Sequence, residues 1–329
     1  MSDNARRHFL RGVGALGLST AGSAFAATSE RILTAADVHV DGYPTVEAVR
    51  WMSRTLAEQT GGRLRIRVYH AGQLGRESDT VDLARFGALD ITRVNFAPLT
   101  NPFPLTQLFA MPYVFESVAH MRRVVDGPVG REVLRSFERR DLVGLAIYDA
   151  GSRNFYDVRG PIIEPADLHG LKIRVPPSDI FLDMARAFGA NPTPLPVNDV
   201  YSALQTRLID GAENNWRTFH TSRAFEVARY VSHTAHSYSP EALLMSRRSF
   251  DGLTPADREL IRSVAAQSVV YMRSLWDPME EASKRQVLAS GVMLNEVNVA
   301  AFRKAARPVV DAYVQRSGLQ KLYAAVQAA

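Results

Sequence analysis

Apolar residues recur at helical and strand spacings along the chain, and the two patterns alternate. Residues 44–59 carry one apolar helical stripe that ends at the glycines 61–62, whereas residues 63–69 alternate strictly between arginine and aliphatic positions. The first pattern predicts a helix, and the second predicts a strand with one wet face. A glycine-marked turn at 72–75 then leads through a short helix to a strand at 89–94.

The second half of the chain repeats this alternation. The predicted elements are strands at 143–148 and 171–175 and helices at 179–188, 198–208 and 255–289. Asn198 and Thr254 are the predicted N-caps of the last two helices. Pro278 lies inside the long helix, where we expect a kink rather than two separate helices. Helices that alternate with strands indicate an α/β fold with a largely parallel sheet.

The first 26 residues have the pattern of an export signal. Arg6 and Arg7 precede a weakly hydrophobic run, and residues 24–26 read Ala-Phe-Ala, a small-x-small cleavage site. The paired arginines favour twin-arginine export, with the Sec route as the alternative. Residues 12–17 match G-x-G-x-x-G, but no strand precedes them, so we exclude a nucleotide site there. The mature product is therefore expected in the periplasm.

Composition excludes several classes of function. The formal net charge is +5 and falls to +3 without the export segment, too little to indicate nucleic-acid binding. The chain has no cysteine, which rules out disulfides and thiolate chemistry, and no later segment is apolar enough to cross a bilayer. His233 and His236 are spaced i,i+3 without a third ligand, a weak metal pattern, so we expect neither metal nor cofactor.

Polar residues fall at the ends of predicted strands. These residues are Asn95, Arg153, Arg174 and Asn214. In parallel α/β sheets, ligands bind beyond the carboxyl ends of the strands, and a guanidinium group pairs well with a carboxylate. Arg174 is the most informative of the four because it lies within the apolar segment 171–175. Either it binds a ligand anion or it forms an internal salt bridge, and the segment alone leaves both open.

Four motifs, in order, resemble those of the solute-binding proteins of TRAP transporters, of the DctP type. They are residues 72–77 (GQLGRE), 87–91 (GALDI), 168–176 (LHGLKIRVP) and 210–215 (DGAENN). The resemblance extends from about Leu33 to about Gly291. It implies a periplasmic receptor, without enzymatic activity, that delivers an organic acid to the small and large permease subunits. A receptor that presents its ligand to a sensor kinase, and a periplasmic enzyme, are the alternatives.

The resemblance also implies a periplasmic binding protein-like α/β fold: two α/β domains with a hinge and a long domain-spanning helix. We predict one domain from residues 27–150 plus 240–280 and the other from 151–239 plus 281–329. In this family the arginine of the K-I-R-V-P motif, here Arg174, binds the ligand carboxylate. Arg153 and Asn214 match the positions that assist it. A monomer is expected.

A closer resemblance points to the subgroup that binds hexuronates such as glucuronate and galacturonate. It rests on residues 149–156 (DAGSRNFY), residues 211–216 (GAENNW) and His39 with the nearby segment 43–45. The predicted contacts to sugar hydroxyls are His39, Glu77, Asn95 and Asn215. The Glu77 carboxylate would repel a second ligand carboxylate, which disfavours the alternative C4-dicarboxylates. Two departures from the subgroup, Val40 and the segment 238–240 (YSP), leave the exact sugar acid open.

Overall fold

The structure is a computed structural model that describes residues 30–329. The predicted export segment and the glycine-rich stretch 12–17 lie outside the described residues. Among residues 30–329, none of the helices combines the length and the hydropathy that a membrane crossing requires.

Eleven strands occur in the described residues: β1 Arg31–Ala36, β2 Leu64–Tyr69, β3 Ile91–Asn95, β4 Leu142–Tyr148, β5 Arg153–Asp157, β6 Lys172–Val175, β7 Asn191–Pro194, β8 Gly211–Asn214, β9 Tyr230–Ser237, β10 Glu241–Ser246 and β11 Met293–Asn295. They form two sheets. The first sheet has the order β2-β1-β3-β10-β4, and the second has the order β11-β9-β5-β8-β6-β7.

Thirteen α-helices surround the sheets in the same range: α1 Pro44–Gln59, α2 Glu77–Phe86, α3 Phe96–Leu99, α4 Gln107–Ala110, α5 Val118–Asp126, α6 Pro128–Ser136, α7 Asp179–Ala187, α8 Val200–Gln205, α9 Trp216–Thr221, α10 Arg247–Asp251, α11 Pro255–Ala289, α12 Val299–Arg316 and α13 Gln320–Gln327. The prediction of an α/β fold is therefore confirmed. Each sheet carries its own helices, as expected for two packed α/β layers.

The prediction of largely parallel sheets is wrong for one internal strand of each sheet. Strand β10 is antiparallel to β3 and β4, and β5 is antiparallel to β8 and β9. Two short segments cross between the sheets, residues 149–152 and residues 238–240, and α11 makes a third crossing between β10 and β11. The two crossing segments run in opposite directions, so β4 pairs with β10 in one sheet and β5 with β9 in the other. This antiparallel ribbon connects the two sheets.

Helix α11 is continuous over 35 residues, and Pro278 lies inside it. The prediction of one helix rather than two is confirmed. Its N-cap is also as predicted, because the Thr254 hydroxyl accepts a hydrogen bond from the amide of Asp257 at 3.1 Å. The helix packs on α1 and β4, which belong to the half of the molecule with the first sheet, and on α9, which belongs to the half with the second sheet. It therefore spans both halves of the molecule.

The predicted helix at 198–208 is wrong in its start and its length. Asn198 belongs to a 3₁₀ turn, Val197–Asp199, and α8 covers only Val200–Gln205. Asn198 does not cap α8. Instead it lies at the edge of the cleft between the sheets, close to the turn glycine Gly72.

One apolar cluster extends across both sheets. It contains side chains from the first half, among them Phe96 and Phe109, together with Phe155, Phe181 and Phe188 from the second. Burial of aromatic side chains of this size is among the largest stabilising contributions in a protein core. The two halves therefore meet over packed apolar surface as well as through the crossing ribbon.

Candidate functional site

A cavity lies between the two sheets. Its wall contains Val38, His39, Glu77, Asn95, Pro98, Arg153, Arg174, Pro176, Val197, Asn214, Thr218 and Glu241. Six of the seven residues predicted from the sequence are in this set. The structure thus brings together side chains that are up to about two hundred positions apart in the chain.

The second sheet brings the basic residues together. In its order, β8 lies between β5 and β6, so Arg153, Asn214 and Arg174 come from three adjacent strands. Arg174 is in register with Ala212 of β8. Arg153 was predicted to follow the carboxyl end of a parallel strand. In the structure it is instead the first residue of β5. Because β5 is antiparallel to β8, its first residues lie beside the carboxyl end of β8, where Asn214 is.

Arg174 carries a buried charge without a carboxylate partner. Its side chain is 2% exposed, and its Nε donates to the carbonyl oxygen of Leu195 at 2.8 Å. Within residues 30–329 it forms no ion pair, so the internal salt bridge that the sequence left open is absent there. Burial lowers the pKa of Arg174 to about 10, which leaves it charged at neutral pH.

Arg153 is in the opposite situation. Its Nε and Nη2 donate to the two carboxylate oxygens of Glu213 at 2.5 and 2.8 Å, and its Nη1 donates to Oδ1 of Asn214 at 3.1 Å. His236 lies 3.3 Å from the same carboxylate. Burial works against the charge of Glu213, but Arg153 lowers the pKa of Glu213 to about 2. The pair is therefore ionised and bidentate.

The acidic wall of the cavity surrounds a third buried arginine, Arg93. Arg93 is 1% exposed and donates to Asp37 and, at 2.9 Å, to Glu77; Glu241 lies 3.2 Å from it. Arg93, Asp37 and Glu241 were not predicted from the sequence. Arg93 could have been selected from the sequence, because it lies in an apolar strand just as Arg174 does.

Glu77 and Asn95 are both bound within the protein as well as lining the cavity. Oε1 of Glu77 accepts from Nη1 of Arg93 and from the backbone amide of Asn95, both at 2.9 Å. The Asn95 side chain caps α3 through the amide of Ala97 and bonds to Ser239. Glu77 also begins α2, where its negative charge interacts favourably with the helix dipole.

His39 lies against Glu241 in the same wall. Its Nε2 is 3.2 Å from Oε1 of Glu241, and its ring stacks on Tyr43 with 3.7 Å between centroids. Burial and the nearby Arg93 lower the pKa of His39 to about 3, so the imidazole is neutral. Tyr43 in turn bonds to Thr218, across the cleft, with 3.0 Å between the oxygens. Because it is neutral, the His39 imidazole can donate a hydrogen bond from Nε2 to Glu241.

Asn215 is the predicted site residue that is not in the cavity wall. Its Oδ1 accepts from the amide of Thr218 at 2.6 Å, and its Nδ2 donates to the carbonyl of Ala150 at 2.6 Å. Side chains alternate in direction along an extended chain, so Asn214 and its neighbour face different ways. Asn215 caps α9 and ties it to the first crossing segment.

The remaining candidates lie outside the cavity. His236 is fully buried beside Glu213, and His233 faces Glu296 at 3.5 Å. No group of three potential metal-ligating side chains occurs among residues 30–329. Trp216 and Phe181, two aromatic residues near the site in the sequence, are buried in the apolar clusters and do not line the cavity.

The cavity has two walls of different charge. The residues from the second sheet's side are Arg153, Arg174 and Asn214, and those from the first sheet's side are His39, Glu77, Asn95 and Glu241. One wall therefore offers an unpaired guanidinium group and the other offers carboxylate and amide groups. Such a site is suited to a small molecule with an anionic end and a hydroxylated end.

Comparison with known structures agrees with this geometry. A solute-binding protein from Bradyrhizobium sp. BTAi1, in complex with galacturonate, is 45% identical, with a TM-score of 0.89 over 91% of this chain and 100% of that one. A protein from Xanthobacter autotrophicus, also with bound galacturonate, is 42% identical, with a TM-score of 0.88 over 90% and 99%. A third, from Roseobacter denitrificans with bound glucuronate, is 36% identical, with a TM-score of 0.88 over 91% and 99%.

These neighbours are periplasmic solute-binding proteins of TRAP type. The family model for bacterial extracellular solute-binding proteins, family 7, matches residues 35–317, which include both sheets. The fold and function class predicted from the four motifs are therefore confirmed, and the chain belongs to the DctP family of bacterial extracellular solute-binding proteins.

Proposed function

We propose that this protein is the periplasmic receptor of a TRAP transporter and that it binds a hexuronate. The single observation that carries the proposal is Arg174, a buried guanidinium group with no carboxylate partner within residues 30–329, facing a wall of acidic and amide side chains. A buried charge of this kind is costly unless a ligand anion pairs with it. A sugar acid supplies that anion and hydroxyl donors on the same small molecule.

Arg174 is the proposed site of the ligand carboxylate. Its Nε is engaged with Leu195, which leaves the two terminal nitrogens for a bidentate contact. Arg153 and Asn214 reinforce that end. Arg153 contributes less net charge because Glu213 neutralises it. The cavity is therefore matched to a single carboxylate.

The acidic wall is the proposed site of the hydroxyl groups. Glu77 and Glu241 are carboxylates that accept hydrogen bonds but repel a second anion, which disfavours C4-dicarboxylates. His39 and Asn95 add an imidazole and an amide. Relatives with 45% and 42% identity hold galacturonate, and one with 36% identity holds glucuronate, which supports a hexuronate over smaller acids.

We further propose that the protein binds its ligand without chemical change. The two domains, residues 27–150 plus 240–280 and residues 151–239 plus 281–329, would close on the ligand by hinge motion of the crossing ribbon. Closure would bring the basic and acidic walls together around the two ends of the sugar acid. The export segment at 1–26 would direct the protein to the periplasm by the twin-arginine route, where it would deliver the ligand to the membrane subunits.

A thermal-shift screen with purified protein tests the proposal. The ligands are D-galacturonate, D-glucuronate, D-gluconate and succinate, each at saturating concentration. Bound ligand raises stability by about RT ln(1 + [L]/Kd), so the hexuronates should give the largest rise in Tm. A rise with succinate alone would refute both the hexuronate assignment and the role given to the acidic wall.

A further inference from the structure

Glu241 is a buried acid whose carboxylate is only half satisfied. It begins β10, and 2% of the residue is exposed. Its Oε1 lies 3.2 Å from Nε2 of His39 and 3.2 Å from Nη1 of Arg93. Its Oε2 is buried and has no hydrogen-bond partner among residues 30–329. Nearly all buried polar atoms in proteins have such a partner.

The surroundings of Glu241 account for its position but not for this free oxygen. Arg93 holds the carboxylate from β3, and His39 holds it from the segment after β1. The other charged groups nearby are Asp37 and Glu77, which share Arg93, and Arg153 across the cavity. The ionic contacts with Arg93 and His39 both meet Oε1, the Asn95 side chain lies near the carboxylate, and Glu241 lines the cavity.

The geometry points to Glu241 as a specificity-determining residue, whose Oε2 accepts a hydrogen bond from one hydroxyl group of the bound sugar acid. This inference rests on the proposed function. Arg93 and His39 keep the carboxylate in place before the ligand arrives, so little ordering is needed on binding. A ligand without that hydroxyl leaves Oε2 unpaired in a closed site, which strongly reduces its affinity.

Glu77 is a weaker candidate for this role. Its Oε1 already accepts two hydrogen bonds, one from Arg93 and one from the amide of Asn95. Its side chain is 13% exposed, against 3% for Glu241, so water can reach it more easily. The selection of one hydroxyl position therefore falls to Glu241, because a buried acceptor discriminates more sharply than an exposed one.

The test is a titration calorimetry series on three proteins: the wild type, Glu241→Gln and Asp257→Asn. Asp257 is the matched control, a buried acid that pairs with Arg63 at the start of α11, outside the cavity wall. The ligands are D-galacturonate, D-glucuronate and the monodeoxy derivatives of each. Glu241→Gln should weaken binding of the parent hexuronates by about 10- to 100-fold. Asp257→Asn should leave it within about twofold.

The monodeoxy ligands identify the contact. For the derivative that lacks the hydroxyl bound by Glu241, wild type and Glu241→Gln should bind within about threefold of each other. Equal losses for every ligand, or no loss at all, would overturn the inference while leaving the receptor function intact. If the wild type bound no hexuronate, the proposed function would fail, and this inference with it.

A second variant covers the case in which Glu241→Gln does not fold. Glu241→Asp keeps the charge beside Arg93 but withdraws the carboxylate by one methylene. The same selective loss is expected for ligands that carry the hydroxyl. Unchanged affinity in Glu241→Asp would contradict a direct contact with the ligand.

Discussion

Arg153 and Arg174 lie on the two strands that flank β8, and both line the same cavity, yet only Arg153 has a carboxylate partner within residues 30–329. Glu213 neutralises Arg153, whereas Arg174 has no acid beside it in that range. Two arginines that look equivalent in the sequence thus differ in their surroundings. One belongs to a buried ion pair, and the other is an unpaired buried charge.

Replacing Arg174 should separate stability from binding. In Arg174→Met the buried charge is gone, so the empty protein should gain about 1 kcal/mol in its free energy of unfolding, because the desolvation cost is removed. Hexuronate binding should weaken by about 2–5 kcal/mol. Urea unfolding and calorimetry measure the two effects. Arg174→Lys is the control that keeps the charge without the fork, and micromolar binding by Arg174→Met would contradict the assignment.

Glu213 should be more important for folding than any other single acid near the cavity. Glu213→Ala leaves Arg153 buried without its bidentate partner, and loss of one member of such a pair costs about 3–5 kcal/mol. The double variant Arg153→Leu/Glu213→Leu removes both charges and should be more stable than Glu213→Ala. Denaturant unfolding of both variants measures this difference in stability. A double variant that is less stable than Glu213→Ala would contradict the cost assigned to the unpaired Arg153.

One hydrogen bond across the cleft should favour the closed form. The hydroxyls of Thr100, which follows α3, and Ser178, which precedes α7, are 2.7 Å apart and buried. Thr100→Val removes this bond with little change in shape, so the closed form becomes less populated and Kd should rise about 2- to 10-fold. Stopped-flow binding should show the change mainly in the dissociation rate.

Thr106→Val is the matched control for that experiment. The Thr106 hydroxyl is buried too, but it donates to the carbonyl of Phe103 on the same side of the cleft. The control should lose some stability without a change in Kd. A loss of affinity equal to that of Thr100→Val would assign the effect to general destabilisation.

Glu280 should make stability depend on pH. This residue of α11 accepts hydrogen bonds from the amides of Trp216 and Arg217 at the start of α9, and burial raises its pKa to about 7 from 4.5. The folded protein therefore binds a proton more tightly than the unfolded chain. The resulting stability is fully present below about pH 4.5 and is lost as pH rises through about 7.

Glu280→Gln tests this dependence because the amide cannot ionise; its oxygen can still accept from one of the two backbone amides, whereas its nitrogen cannot accept from the other. The free energy of unfolding of the wild type, relative to the variant, should fall between pH 4.5 and pH 7. Chemical denaturation at several pH values measures the difference. Parallel curves for the two proteins would show that Glu280 titrates normally.

Much of the fold was readable along the chain. Strict alternation at residues 63–69 and the apolar stripe at 44–59 correspond to β2 and α1, because both elements bury one face and expose the other. The N-cap at Thr254 and the length of α11 were also predictable, since local hydrogen bonding and spacing decide them. The antiparallel strands β5 and β10 were not, because strand direction depends on where the chain crosses between sheets.

The candidate site also has features that the sequence predicted and features that it did not. Strand positions and motifs were enough to select Arg174, Arg153 and Glu77 as candidates, since the two arginines at predicted strands and the motif GQLGRE at residues 72–77 are visible in the sequence. Their pairing was not visible. Only the fold places Glu213 on Arg153, groups Asp37 and Glu241 around Arg93, and leaves Arg174 without an acid within residues 30–329. Residue type sets which charges exist, but the distances that neutralise them arise between strands far apart in the chain.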